Sequence, residues 1–320
     1  MVKLYQTNYP EAYIEVEVEQ FYSNDLPIFF AKTGKDTYLR DFVEPFYYVP
    51  DLIHGNVPVD GGNLLLSPEE KDELVAKNPA SAKWIRPFVG SREFIHNLPR
   101  YCLWLEDCPP NELRKMPLVY RRVEKCREFR LASKKEQTRR RAATSWLFAE
   151  RRQPKTDYLL VPRHSSSRRE YIPIGWMDAN VICGDANQMI PGAKYWHFGV
   201  LTSFPHMVWT RLTCGRLRND YRYSAEVVYN NFPFPPFWRE VEKTAVKILM
   251  ARQNYPDASF ADLYDPLTMP KDLRKAHEEN DRAVMEAYDF PKHMSEEKMQ
   301  VAFLQMYDSM RNMAEIFYGK

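Results

Sequence analysis

The side chains best suited to specific chemistry lie on short polar turns between residues 154 and 235. They carry hydrogen-bonding groups, and they are Ser165, Arg168 and Arg169 on one turn, Asn187 and Gln188 on a second, and Arg218, Asp220 and Arg222 on a third. Such side chains pair with planar polar groups, including base edges, carboxylates and phosphates. The nearby histidines (164, 197 and 206) have no carboxylate or cysteine constellation around them, so recognition is favoured over acid–base catalysis.

The charge distribution indicates an anionic partner for one segment. The whole chain has a net charge of +2, but residues 114–169 hold 18 basic and 5 acidic residues, after an acidic first third. A concentrated basic block is typical of a surface that binds phosphates. It is also found on solvated faces and opposite acidic partner domains. Charge alone therefore leaves nucleic-acid binding and protein docking both open.

Short apolar runs separated by turns predict strands around the polar residues. Their residue types suit a pleated surface, and they cover residues 158–162, 171–174, 181–183 and 196–201. Ser203 predicts the N-cap of a helix that extends to Leu217 and buries Met207, Trp209, Leu212 and Leu217. Upstream, the alternation of residues 14–19 predicts a strand, and its row of glutamates predicts the solvent-facing edge of a sheet.

Helices are predicted on both sides of this stretch. Pro117 to Ser133 has apolar residues at helical spacing, and residues 134–144 continue as a very basic helical segment. Ser67-Pro68-Glu69-Glu70 predicts a capping box for a helix that ends near Lys77. Three more helices are predicted over residues 237–254, 271–288 and 295–317. The methionine-rich stripe of the last one is typical of a core or a helix–helix seam.

One carboxylate set allows a second interpretation. Asp60 with Glu69-Glu70-Lys71 has the Asp then Glu-x-Lys order of some nuclease centres. Helix capping accounts for the same residues completely, and a second Glu-x-Lys, Glu296-Glu297-Lys298, also follows a serine at a helix start. With 11 glycines the chain has no Gly-x-Gly-x-x-Gly or Walker-type loop, and it has no Gly-x-Ser-x-Gly or His-Glu-x-x-His motif.

The remaining composition favours a cytoplasmic protein. The five cysteines are odd in number and lack Cys-x-x-Cys spacing, which predicts reduced thiols and no metal site. No segment has the apolar length of a membrane span, and the first residues do not form a signal peptide. We therefore expect no membrane partner.

The same sequence resembles the target recognition domain of MmeI-like restriction–modification enzymes. The matching motifs are long and numerous, and this makes the resemblance specific over roughly residues 36–290. They include Asp60-Gly61-Gly62-Asn63, Ile85-Arg86-Pro87-Phe88, Arg127-Glu128-Phe129-Arg130-Leu131, His197-Phe198-Gly199-Val200-Leu201, Cys214-Gly215-Arg216-Leu217, Asp220-Tyr221-Arg222-Tyr223, Tyr229-Asn230-Asn231-Phe232-Pro233 and Leu263-Tyr264-Asp265-Pro266-Leu267.

The resemblance implies an α+β fold, in which a mixed-sheet DNA target recognition domain precedes an α-helical C-terminal domain. We expect residues 1–45 to be an N-terminal extension or the tail of a methyltransferase domain, residues 46–235 the recognition domain, and residues 236–320 the helical domain. Family members are single-chain DNA adenine methyltransferases fused to an endonuclease. Their Asn-Pro-Pro-Phe/Tyr motif is absent here, since Asn231-Phe232-Pro233-Phe234 has a different proline order.

The implied function is the recognition of a specific double-stranded DNA sequence for an N6-adenine methyltransferase and restriction enzyme. A methyltransferase domain of the same or a companion chain would be the partner. No cofactor is expected in this fragment, and S-adenosylmethionine is expected for the missing catalytic domain. Two alternatives stay open: a fragment that is itself an active S-adenosylmethionine-dependent methyltransferase or a nuclease, and a protein-interaction module that docks on an acidic partner.

With DNA as the implied partner, the polar turns become candidates for base contacts. These are Ser165, Arg168, Arg169, Asn187, Gln188, Arg218, Asp220 and Arg222. The candidates for contacts to the DNA backbone are Arg121, Arg122, Lys134, Lys135, Arg139, Arg140, Arg141, Arg163 and Arg216. Structural roles compete with these: Asp220 and Arg222 could form an internal ion pair, Asn187 and Gln188 could form a turn, and Arg216 could pack on the core.

Overall fold

The computed structural model describes residues 2–6, 14–23, 26–31 and 49–318, with side chains described for residues 49–312. The other residues of the predicted N-terminal extension (1–45), together with residues 46–48, lie outside the described residues. Three antiparallel strands are described there: β1 (Val2–Gln6), β2 (Ile14–Ser23) and β3 (Leu26–Ala31). The predicted strand at 14–19 is therefore present. Its assignment to a sheet edge is wrong, because β2 pairs with β1 on one side and β3 on the other.

Most of the short strands and helices of residues 49–150 pack around one hydrophobic core, while Leu52, Val89, Phe94 and Ile95 belong to two other clusters. In chain order these elements are β4 (Ile53–His54), β5 (Leu65–Leu66), α1 (Pro68–Lys77), a 3₁₀ turn (Pro79–Trp84), β6 (Ile85–Val89), α2 (Ser91–His96), β7 (Tyr101–Leu103), α3 (Pro110–Arg114), α4 (Pro117–Leu131), α5 (Glu136–Arg140) and a 3₁₀ turn (Arg141–Thr144). Helix α4 buries Val119, Val123 and Cys126 at helical spacing against this core. The predicted helix at 117–133 is confirmed.

The residues that suggested a nuclease centre have structural roles. Ser67 and Glu70 form a reciprocal capping box at the start of α1, with Glu70 N donating to Ser67 Oγ (3.2 Å) and Ser67 N to Glu70 Oε2 (2.9 Å). Asp60 is buried, and its carboxylate accepts the backbone N–H groups of Gly62, Leu64 and Leu65. The capping interpretation is therefore confirmed.

A buried arginine fixes the basic helices to the rest of the domain. Arg130 is fully buried near the end of α4, and burial lowers the pKa of its guanidinium. Its three nitrogens donate to the carbonyl oxygens of Pro58, Val59, Arg141, Thr144 and Leu147, at 2.7 to 3.0 Å. One side chain thus ties α4, the 3₁₀ turn that follows α5 and the loop after β4 together.

The next part of the chain, residues 158–229, forms the central region of the fold. Its elements are β8 (Tyr158–Pro162), β9 (His164–Ser165), β10 (Gly175–Met177), β11 (Ile182–Cys183), β12 (Asn187–Pro191), α6 (Tyr195–Leu201), α7 (Phe204–Thr213), β13 (Gly215–Leu217), β14 (Asp220–Arg222) and a π-helical turn (Ala225–Tyr229). Strands order as β10-β8-β12-β4, β11-β6-β7-β5 and β13-β14-β9 in three sheets. The sheets mix antiparallel pairs with one parallel pair, β11 with β6.

Strand β8 separates two apolar clusters. Leu159 and Val161 face the larger core, whereas Tyr158 and Leu160 face a smaller one. The alternation follows from the two-residue period of a strand. Because both faces are covered, all five residues of β8 are buried, and the run reads as uniformly apolar.

Three local predictions were wrong. Residues 196–201 belong to helix α6 instead of a strand, since a short apolar run that is buried all round has no diagnostic period. The helix that starts at Ser203 is confirmed, but it ends at Thr213, and residues 215–217 form a strand. Residues 171–174 are buried without strand pairing, directly before β10.

The predicted C-terminal helices are confirmed as α8 (Arg239–Gln253), α10 (Lys271–Ala287) and α11 (Glu296–Tyr318), with a short α9 (Phe260–Leu263). Helix α6 packs closely on α8 and α10 at Gly199, where an added Cβ would lie 2.8 Å from Val241 and 3.0 Å from Asn280. Asn280 Nδ2 donates to the Gly199 carbonyl (2.7 Å). The predicted α+β fold followed by a helical region is confirmed. Within the described residues, no helix has both the length and the apolar character needed to cross a bilayer.

A partly buried carboxylate of α10 joins the C-terminal helices to the central region of the fold. Asp281 accepts from the Tyr171 hydroxyl (2.7 Å) and from the Phe204 backbone N–H (2.7 Å). Burial raises the pKa of Asp281 to about 7; the two hydrogen bonds act in the opposite direction, and Glu170 and Glu278 reinforce the rise. This carboxylate therefore titrates near neutral pH.

Replacement of Arg130 by methionine tests the arginine anchor. Arg130→Met keeps a long unbranched side chain but removes the guanidinium, so five carbonyl groups lose their donor. We therefore expect a loss of about 3 kcal/mol or more in the free energy of unfolding. Denaturant unfolding measures it. Arg140→Met is the matched control, because Arg140 is exposed and pairs only with Glu136, and it should change stability by less than about 0.5 kcal/mol. Equal effects of the two variants would contradict the anchor role.

Asp281→Asn tests the joining carboxylate. A folded-state pKa raised from the ordinary value of 3.8 to about 7 means that Asp281 contributes most stability below pH 4 and that this contribution is lost as the pH rises to 7. Asparagine can accept from Phe204 and donate to Tyr171 without titrating. We expect the variant to lack this loss, on the order of 3 kcal/mol, between pH 4 and 7. Unfolding free energies across that range check it, and parallel profiles for both proteins would refute it.

Candidate nucleic-acid interface

The smallest sheet brings two distant polar segments together. Strands β13 and β14 form a hairpin in which Leu217 faces Asp220 and Gly215 faces Arg222. Strand β9 adds to the other edge of β14 and pairs His164 with Arg222 and Ser165 with Tyr221. We call this unit, residues 163–169 with residues 215–222, the recognition sheet. It brings together eight of the seventeen predicted contact residues.

The register of the recognition sheet divides its residues between two faces. Directly opposed residues of an antiparallel pair lie on the same face, so Tyr221 and Ser165 share the inner face and both are buried. Leu217, Asp220, Arg222 and His164 share the outer face. Asp220 and Arg222 are exposed, and they do not form an ion pair within the described residues. The internal ion-pair interpretation is therefore not supported.

Two buried tyrosines attach the recognition sheet to the core. Tyr221 and Tyr223 are 3% and 2% exposed. The Tyr223 hydroxyl lies 2.9 Å from His206 Nε2, and its backbone N–H donates to the Arg163 carbonyl (2.8 Å). Burial lowers the pKa of His206 to about 3, so the imidazole is neutral at physiological pH. His206 is a structural partner of the sheet and is not placed for acid–base chemistry.

The turn of the hairpin carries an arginine in a conformation that favours glycine. Arg218 has a φ of 56°, and with Asn219 it forms the two-residue connection between β13 and β14. Hairpin turns of this length need a positive φ, which usually selects glycine or asparagine. The turn places the Arg218 side chain at the exposed tip of the hairpin, near Leu217 and Asp220.

The loop after β9 holds two more predicted residues in different environments. Arg168 is exposed. Arg169 is half-buried, and burial lowers the pKa of its guanidinium against the opposing effects of the Asp220 and Asp265 carboxylates. Asp220 Oδ1 also accepts the Ser167 backbone N–H (3.2 Å), which fixes this loop to the hairpin. The prediction of an exposed Ser165 is wrong, because its side chain faces the core.

The predicted exposed turn at Asn187 and Gln188 is also wrong. Both residues are fully buried in β12. Asn187 Nδ2 donates to the Val89 carbonyl (3.2 Å), while Gln188 pairs across the sheet with Val161 and His54. In this conformation neither amide can reach a base, because both side chains are fully buried.

A second group of cationic side chains lies on α4, on α5 and on the segment that joins them. Arg121, Lys134 and Lys135 are exposed there. Arg139 is exposed and donates to the carbonyls of Ser133 and Lys134, and Arg140 is exposed and pairs with Glu136 (2.6 Å). We call these five residues the basic helical surface.

Two predicted phosphate contacts are engaged inside the domain instead. Arg122 donates to the carbonyls of Gly62, Asn63 and Leu65 and pairs with Glu70 (3.2 Å). Arg141 is half-buried and lies 3.7 Å from Glu150. The local sequence could not show that Arg122 is engaged in this way, because its carbonyl acceptors lie on a loop about sixty residues earlier in the chain.

The last two predicted phosphate contacts belong to the recognition sheet. Arg163 is half-buried and donates to the Asp185 carbonyl (3.1 Å). Arg216 is exposed, and its guanidinium lies 4.2 Å from the centre of the Tyr221 ring. Both keep part of their donor capacity for an anionic partner. No cluster of three or more metal-ligating side chains occurs among the residues that the structure describes.

Arg218→Gly tests the strain at the hairpin tip. Glycine adopts a positive φ without the steric cost, and this stabilises the folded state. Its greater conformational freedom in the unfolded chain offsets part of that gain. We expect the free energy of unfolding to stay constant or to rise by up to about 1 kcal/mol. Arg222→Gly, in the regular strand next to it, should instead lower stability by about 0.5–1 kcal/mol. Thermal unfolding compares them, and an equal loss in both would contradict the strained turn.

Comparisons with known proteins agree with this arrangement. The family model described as the MmeI target recognition domain matches residues 33–236, and that of the MmeI C-terminal domain matches residues 238–314. DNA methyltransferase A of Bacillus subtilis (strain 168) is 33% identical over 298 residues, which cover 92% of this chain and 34% of that protein.

A solved structure is similar over almost the whole chain. The type IIL restriction-modification enzyme MmeI in complex with DNA has a TM-score of 0.85 and 38% sequence identity, covering 97% of this chain and 45% of that one. The present chain thus spans less than half the length of either relative. The resemblance inferred from the sequence motifs is confirmed: the chain belongs to the MmeI family and comprises its target recognition and C-terminal domains.

Proposed function

We propose that this chain recognises a specific double-stranded DNA sequence as the specificity part of an N6-adenine methyltransferase and restriction enzyme. The observation that carries the proposal is the outer face of the recognition sheet. There Asp220 and Arg222 are exposed on a regular strand, and Arg218 projects from the turn beside them. The relatives that match most of the chain are a DNA methyltransferase and a restriction-modification enzyme bound to DNA.

The hairpin has the shape needed for the major groove. That groove admits a two-stranded β-ribbon, and base edges there present a distinct pattern for each base pair. An arginine such as Arg222 or Arg218 can donate two hydrogen bonds to guanine, and the second oxygen of Asp220 can accept from the amino group of cytosine. Arg168 extends the same donor set from the adjacent loop.

The basic helical surface has a different part in the proposal. Arg121, Lys134, Lys135, Arg139 and Arg140 would contact phosphates, which position a duplex without reading its sequence. Arg163 and Arg216 would do the same within the recognition sheet. This division explains why the densest charge and the polar turns lie in different parts of the chain.

Catalysis belongs, in this proposal, to a methyltransferase domain of the same or a companion chain. That domain would bind S-adenosylmethionine and methylate an adenine extruded from the duplex. The recognition domain needs no cofactor of its own to hold the duplex. Cytoplasmic location follows from such a role, because the substrate is cellular DNA.

The first test is fluorescence anisotropy with a random-sequence duplex at several salt concentrations. Phosphate binding makes log affinity fall with log salt by about 0.9 per contact. Selection from a random library then defines the preferred site. Binding to an acidic protein domain without binding to any duplex would refute the proposal and support the protein-docking alternative.

Two substitutions separate base reading from phosphate contact. We expect Arg222→Ala to weaken binding to the selected site by about 10- to 100-fold and to relax the preference at one guanine. Arg140→Ala should weaken binding to all sequences alike and reduce the salt slope by about 1. Anisotropy on selected and scrambled duplexes measures both. Arg282→Ala, at an exposed arginine of α10, is the control. A uniform effect of Arg222→Ala would contradict base reading.

A further inference from the structure

One residue of the recognition sheet has chemistry that the hydrogen-bonding residues do not supply. Leu217 is the last residue of β13, directly opposite Asp220 and before the turn at Arg218. Its side chain is 57% exposed. The sequence predicted a buried position at the end of a helix, and the structure instead places this leucine on an outer face.

The hydrophobic core does not account for the position of Leu217. It belongs to none of the three hydrophobic clusters formed by the described residues. On the outer face it lies beside Asp220, with Arg222 two residues further along β14 and Arg218 next in the chain. An isolated leucine on a protein surface is common. A leucine held at the tip of a strained, arginine-rich hairpin is placed where that hairpin would meet its partner.

The outer face combines three kinds of contact in one short row. Asp220 is an acceptor, Arg222 and Arg218 are donors, and Leu217 is apolar. In the major groove, the base edges offer donors, acceptors and one apolar group, which is the C5-methyl of thymine. The minor groove lacks that methyl group. A hairpin that presents all three kinds of contact therefore matches the chemistry of the major groove.

We infer that Leu217 contacts the methyl group of a thymine and makes that base pair part of the recognised site. This inference rests on the proposed function, since it needs the recognition sheet to face the bases. The contact would transfer the thymine methyl group and part of the leucine side chain out of water. A single buried methyl group of this kind corresponds to roughly a 3- to 10-fold preference.

Deoxyuridine provides a sharp test, because it differs from thymidine only by the missing methyl group. After selection of the preferred site, each thymidine in it is replaced in turn by deoxyuridine. Affinities are measured by anisotropy for the whole chain and for Leu217→Ala. We expect one position at which the replacement weakens binding about 3- to 10-fold with the original chain and has no effect with Leu217→Ala.

Leu267→Ala is the matched control. Leu267 is 93% exposed on a turn of the C-terminal helical region, and its replacement should leave the sensitivity to the methyl group intact. Because Leu217 is exposed, Leu217→Ala should fold like the original chain, which circular dichroism and thermal unfolding verify.

Two outcomes would overturn the inference while leaving DNA recognition in place. The first is a selected site in which no thymine methyl group affects binding. The second is a Leu217→Ala variant that binds every duplex more weakly and keeps the methyl sensitivity, as expected for a wedge between base steps. Failure of the chain to bind any duplex would instead refute the proposed function, and this inference with it.

Discussion

The buried contact between Tyr223 and His206 governs the geometry of the candidate interface. Strands of two or three residues have too little surface to be stable alone, so the recognition sheet depends on its attachment to the core. Tyr221 and Tyr223 supply that attachment by burying two aromatic rings, and the hydroxyl of Tyr223 finds a partner in a neutral His206. Because Tyr221 and Tyr223 provide the attachment, the exposed residues of the outer face are not needed for it, and their residue types are free to vary.

The C-terminal helices support the same surface from the other side. Asp281 of α10 holds Tyr171 and the start of α7, and α7 carries His206. Arg274 of α10 pairs with Glu170, next to the loop that contains Arg168. The C-terminal helices and the central region of the fold (residues 158–229) therefore share one continuous core. A change in α10 should be felt in the loop of β9 through these contacts, even though α10 carries none of the candidate base contacts.

Local signals predicted the elements well, and they failed where burial decided the outcome. The capping box at Ser67 contains its own evidence, so the start of α1 followed from the sequence. The run at 196–201 is buried on every side, which removes the period that separates helix from strand. Asn187, Gln188 and Ser165 looked like surface residues because amides and hydroxyls suit turns. Their partners, such as the Val89 carbonyl, are about a hundred residues away for Asn187 and could not be seen from local sequence.

The basic block shows the same limit in terms of charge. Its composition predicted a phosphate-binding surface, yet Arg122 and Arg130 spend their donors on backbone carbonyls of residues 58–65 and 141–147. Buried guanidinium groups of this kind organise a loop-rich domain, since each one satisfies several carbonyls at once. Counting arginines therefore overstates an electrostatic footprint. In the proposed function, the residues that remain available would serve two separable purposes: those of the basic helical surface would set how tightly any duplex is held, and those of the recognition sheet would set which duplex is preferred.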